Sequence, residues 1–144
     1  MGAFKYFQSR YITAALSLAV LLCVGLSCKV KPDSEWKSEL GGKKLSRANN
    51  SGAVSTKVSI YFCPSGEYAL QSQFSGYSTG GAGTLSMANE DVEYGHWTVE
   101  NSTLILRSQK GQTRQYEMFQ GMDDNVIELD GAGYLVTTHN ECES

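Results

Sequence analysis

Few residues in this chain are able to do chemistry, and their spacing gives catalysis little support. There are two histidines, His96 beside Trp97 and His139 near the C-terminus, and four cysteines, Cys23, Cys28, Cys63 and Cys142. A hydrolytic triad needs a nucleophile bonded to a histidine that an acid holds in orientation. Neither histidine stands in such a motif, so no catalytic residue is assigned and the chain reads as a non-enzyme. Two acidic groups stand out: Glu90, Asp91 and Glu93, and then Asp123, Asp124, Glu128 and Asp130. A calcium loop needs six to eight oxygens from acids at alternating positions around a central glycine. Neither group has that spacing, so no metal and no cofactor is expected. The glycine-rich stretch 76–83 lacks the Lys-Ser/Thr pair and following helix of a phosphate cradle.

One cysteine gains a role from its neighbours. Residues 1–10 carry Lys5 and Arg10 and no acid, residues 11–27 carry no charge, and Cys28 and Lys29 follow. A basic start, an apolar run and small residues before a break form a secretory signal. The run is also at the lower edge of the ~17–25 residues that span a bilayer as a helix, so a retained span is the competing reading. Gly25-Leu26-Ser27-Cys28 resembles a bacterial lipobox. That resemblance implies cleavage before Cys28, acylation of its sulfur and a lipid-anchored envelope protein. Lys29 after the modified cysteine implies the outer membrane, facing the periplasm or exterior. An ordinary secretory cut at the same bond would give an unanchored product.

Cysteine arithmetic follows from the lipobox reading. Cys23 leaves with the signal and Cys28 is lipidated, so Cys63 and Cys142 remain as an even pair in an oxidising compartment. A bridge between them would close a loop worth about 4.5 kcal/mol in the chain-entropy account.

Cleavage also changes the charge. Without Lys5 and Arg10, ten basic residues face fifteen acidic ones, a net charge of −5, against −3 for the whole chain. Residues 29–57 carry seven basic and three acidic side chains, and residues 58–144 carry three basic and twelve acidic, net −9. An acidic body excludes nucleic acid as a partner. The basic stretch is a solvated tether that would also suit anionic headgroups.

These residues must be positioned by short strands. Residues 28–41 read as a tether, with one helical turn over 34–40 that has Ser34 as N-cap and Trp36 and Leu40 on one face. From 42 to 144 the apolar residues alternate. Val58, Ile60 and Phe62 share one phase, as do Tyr68, Leu70 and Phe74, Trp97 and Val99, Leu104 and Leu106, Tyr116 and Met118, Ile127 and Leu129, and Tyr134 and Val136. Residues 75–84 read as a mobile Gly/Ser-rich loop, followed by a brief strand at Leu85 and Met87. The expected fold is all-β, an antiparallel up-and-down barrel of about eight strands after an N-terminal signal segment (1–27), because uninterrupted hairpins close a sheet without exposed edges.

The stretch from Ile60 to Tyr134 resembles small lipocalin-like barrels of bacterial lipoproteins. The resemblance rests on Phe62–Tyr68, Gly95–Leu106, Gly111–Met118 and Leu129–Leu135; Gly95-His96-Trp97 stands mid-chain, whereas true lipocalins carry Gly-x-Trp on the first strand. It implies a fold and an address. Two functions follow as expectations. One is a lipid-anchored interaction or structural module that meets an envelope protein through the 75–84 loop or the acidic rim. The other is a lipocalin-like binder whose cavity for a small apolar ligand is lined by Phe74, Trp97 and Tyr116.

Overall fold

The computed structural model describes residues 30–80 and 83–142. The expected signal segment and the lipidation residue Cys28 lie outside the described residues. One helix precedes eight strands: α1 (Asp33–Leu40), β1 (Lys43–Ser51), β2 (Val54–Phe62), β3 (Glu67–Gly80), β4 (Gly83–Glu100), β5 (Thr103–Ser108), β6 (Thr113–Gln120), β7 (Val126–Leu129) and β8 (Ala132–Thr138). Each strand pairs antiparallel with its sequence neighbours, and β1 pairs with β8, so the sheet is the expected closed up-and-down barrel.

Alternation builds the barrel. The in-phase residues Leu45, Ile60, Phe62, Tyr68, Val99, Leu104, Leu106, Met118, Ile127 and Leu129 are all buried and form one core. Burying a large apolar side chain contributes about 1.5–3 kcal/mol, and a one-residue slip in any strand would expose its whole set. Two-residue turns hold the register. Asn101 and Ser102 (φ 52° and 57°), and Asp130 and Gly131 (φ 51° and 78°), adopt the left-handed pairs that match the twist of a hairpin.

Residues 75–80 and 83–84 belong to strands and not to the expected loop. β3 and β4 run through them, with Gly76 opposite Met87 and Gly80 opposite Gly83. Glycine and serine offer no apolar alternation, yet they accept extended backbone when a partner strand supplies the hydrogen bonds.

The helix also differs from its expectation. Its N-cap position is Pro32 in place of Ser34 and has no side-chain cap, whereas the span 34–40 gains only Asp33, and Trp36 and Leu40 share the buried face as expected, 2% and 0% exposed. The compact barrel unit begins at Lys31, within the 28–41 stretch read as tether. Asp33 fixes the helix to the β4–β5 turn by accepting the N–H groups of Asn101 and Ser102 at 2.8 and 2.9 Å. Those two hydrogen bonds hold its carboxyl below the usual range. Gly42 (φ 77°) then turns the chain into β1 and donates to the Phe62 carbonyl at 2.8 Å. The helix thus plugs one end of the barrel, the base, together with the β2–β3, β4–β5 and β6–β7 connections.

Gly95 marks a close approach of β4 to β5. A Cβ there would stand 2.0 Å from the Arg107 carbonyl oxygen. Backbone cannot yield as a flexible side chain can, so Gly95→Ala is expected to cost about 3 kcal/mol, measured as a loss of unfolding free energy in urea.

Candidate functional site

At the other end, the rim, the strands differ in height. The β4–β5 ladder stops at Gly95–Ser108, but β3 and β4 stay paired to Gly80–Gly83, and β2 follows β3 to Val54–Gly76. Strands β1 to β4 therefore rise above the rim on one side as a hood. Its inward face is built in register rows: Leu45, Ile60, Leu70 and Glu93; Arg47, Val58, Ser72 and Asp91; Asn49, Thr56, Phe74 and Asn89; Ser51, Val54, Gly76 and Met87. In the lowest row Leu45 and Ile60 belong to the core and Leu70 packs against it. Higher up, the face stays partly apolar but opens to solvent, with Val54 37%, Phe74 40% and Met87 58% exposed. A shallow groove of about 330 Å³ runs where the β1–β2 turn meets β3 and β4, lined by Val54, Gly76, Tyr77 and Met87 among others.

The rim itself carries charge. The Tyr68 hydroxyl donates to Glu93 Oε1 at 2.8 Å, and Arg114 Nη2 donates to Oε2 at 3.2 Å. Burial alone would raise the Glu93 carboxyl, but the hydrogen bonds from Arg114 and Tyr68 outweigh it and hold the group below its ordinary range. Tyr68 is pushed up, first by burial and then by the carboxylate it serves. Tyr116 is also raised, chiefly by burial. Half-buried Val58, Leu70, Tyr116, Tyr134 and Val136 pack against the core beneath.

A depressed carboxylate stabilises the fold above its unfolded pKa of about 4.3 and loses that contribution as pH falls through the lower folded value. Arg114 is 45% exposed at its side chain, which screens the pair. Glu93→Gln is therefore expected to cost about 1–2 kcal/mol at pH 7, with the deficit shrinking below pH 4 in urea melts.

The three residues expected to line a ligand cavity all face inward but do not surround one space. Trp97 is in the core, 8% exposed, with its ring edge-on to Phe62 (centroids 5.2 Å apart) and its Nε1 donating to the Cys63 carbonyl at 3.0 Å. Tyr116 sits in the half-buried layer and Phe74 on the hood. Phe74 is opposite Asn89, eight residues from Trp97 along β4, which is about 26 Å of strand. Cys63 and Cys142 are joined as a disulfide with Cα atoms 5.5 Å apart.

His139 places Nε2 3.2 Å from the Phe62 carbonyl and packs edge-on against Tyr61, while His96 points outward from β4. Gly76-Tyr77-Ser78-Thr79-Gly80 fits the Gly-x-Ser-x-Gly pattern of a nucleophile elbow in sequence only. A nucleophile elbow is a sharp strand-to-helix turn, whereas this segment is the paired end of β3. Among the described residues, no group of three or more His, Cys, Asp or Glu is placed to hold a metal ion. No helix there is long and apolar enough to cross a membrane.

Glu93 is the rim residue that composition hides, because it stands in one acidic run with Glu90 and Asp91. Its phase was the available signal: odd numbers place it on the same face as Trp97 and Val99. No family model matches this chain, and no curated protein matches it in sequence.

Proposed function

We propose that this protein is a lipid-anchored interaction or structural module of the bacterial cell envelope, non-catalytic, which presents its hood to a partner. One contrast carries this reading. The base half of the interior is packed by side chains of the sheet and by Trp36 and Leu40 of α1, while large apolar side chains are left in solvent on the hood. A binder of small apolar ligands keeps its interior open and spends its aromatics around it. A barrel packed to its base with aromatics exposed above the rim is suited to a surface contact. The anchor is read from the lipobox-like Gly25–Cys28, which joins the chain three residues before the barrel unit begins.

The test combines fatty-acid labelling in cells with native mass spectrometry of the extracted protein. Label on the wild type that is lost in Cys28→Ala, on a protein free of any further bound small molecule, is the expected result. Unlabelled wild type would remove the anchor. A stoichiometric apolar adduct that survives in Cys28→Ala would favour the lipocalin-like alternative.

A further inference from the structure

We infer that the outer edge of β4 takes up an extended, basic and alternately apolar peptide segment of a partner protein as a ninth strand. The inference rests on the reading of the hood as the binding surface and specifies how that surface would bind.

The argument begins with backbone direction. In a strand, the N–H and C=O of one residue point to the same side, and successive residues alternate. Gln109 N–H donates to the Tyr94 carbonyl at 2.9 Å, so even-numbered residues of β4 face the β5 side. Trp97 N–H donates to the Gly66 carbonyl at 2.8 Å, so odd-numbered residues face the β3 side. Because the β4–β5 ladder ends at Gly95–Ser108, the backbone groups of Ser86, Ala88, Glu90 and Val92 point outward with no strand beside them among the described residues. All four residues are exposed. Their odd-numbered neighbours are already bonded to β3.

Such an edge is a template for strand addition, and folded proteins usually blunt one with proline, a bulge, a covering element or charge. Ser86–Asn89 carries none of these side chains, and the ladder with β3 runs through it without a bulge. The charges that follow define the partner. Glu90 and Asp91 lie on opposite faces of β4, so an added strand meets carboxylate on both faces there, and a basic segment is the complement. Met87 offers that strand an apolar neighbour on the inward face, beside Phe74, and Val92 offers one on the outward face. The net charge of −9 over residues 58–144 would steer a basic segment toward this body.

The test uses the ¹⁵N-labelled full chain in detergent and a ten-residue peptide of alternating Lys and Val. The control is the same peptide N-methylated at alternate residues, which removes its donors on one edge. Amide exchange of Ser86, Ala88, Glu90 and Val92 is expected to slow at least tenfold with the peptide and not with the control. Met87, Asn89 and Asp91 should change little. Ala88→Pro should weaken binding at least tenfold while the rest of the amide spectrum is kept, since that N–H serves no ladder in the barrel. Glu90→Lys provides a second variant with the backbone intact: it should weaken the Lys peptide tenfold and admit a Glu/Val peptide instead. Exchange that stays unchanged, or Ala88→Pro and Glu90→Lys variants that bind as well as wild type, would overturn the proposal. Protection that appears without peptide and grows with protein concentration would overturn it in favour of a second copy of the chain. Edge protection in a chain that proves unlabelled at Cys28 would leave this inference standing, whereas label without edge protection removes it alone.

Discussion

Trp36→Ala is expected to lower the unfolding free energy of the barrel by about 3 kcal/mol, at the lower end of the ~3–5 kcal/mol seen for buried tryptophan. Trp36 is 2% exposed and packs with Leu40 into the base of the core, so its removal leaves a large cavity at the plug. The low end is chosen for a specific reason. Among the described residues, Trp36 Nε1 is a buried polar atom without a hydrogen-bond partner. An unmet buried donor costs about 1–3 kcal/mol, and truncation removes that cost along with the packing. Trp36→Phe separates the two effects: it keeps most of the apolar area and loses the orphan donor, so it should stay within about 1 kcal/mol of wild type. Urea unfolding of the three proteins makes the comparison. A Trp36→Ala midpoint equal to wild type would mean that α1 lies on the barrel without supporting it.

Removing the disulfide is expected to have the larger effect. Cys63 lies just past β2 and Cys142 just past β8, separated by 79 residues, so the bond ties the segment after β8 to the base. The chain-entropy model gives about 4.5 kcal/mol for a loop of this size, mainly by restricting the unfolded chain. The bond also anchors local structure. The Cys63 carbonyl accepts from Trp97 Nε1 and from Gly66 N–H, and His139 reaches back to Phe62. The double variant Cys63→Ser/Cys142→Ser leaves Cys28 untouched and isolates the effect. It should lose most of that figure in urea unfolding, which for a small domain of about 5–15 kcal/mol is a large share. A loss under about 1 kcal/mol would show that the base is held by α1 and the sheet alone.

The barrel was legible because its strands follow one rule. Val58, Ile60 and Phe62, or Leu104 and Leu106, alternate cleanly, and Asp130-Gly131 punctuates them with a turn that fits. The hood was not legible for the opposite reason. Ser75–Gly80 and Gly83–Thr84 are glycine- and serine-rich, their extended form depends on a partner strand, and pairing of that kind leaves no mark on a single segment. Helix α1 was half visible: the spacing of Trp36 and Leu40 was plain, but Lys31, Asp33, Glu35, Lys37 and Glu39 made the segment look solvated. Those charges are the outer face of a plug, as the ion pair between Lys31 and Glu39 and the placement of Lys31 over the Trp36 ring show. Glu93 shows a similar limit. A charged residue in an inward phase is readable, but the arginine that makes it tolerable is 21 positions away on β6.

The central claim is that the barrel around Trp36 and Trp97 is filled by side chains and that binding belongs to the hood. Quenching of the two tryptophans by a brominated fatty acid tests it most directly, because bromine quenches only near contact and both Trp36 and Trp97 lie inside. The account predicts no saturable quenching of wild type, and quenching of the remaining Trp97 once Trp36→Ala opens the base. Stoichiometric, saturable quenching of the wild type would contradict it, since a ligand would then share the interior that the side chains are said to occupy.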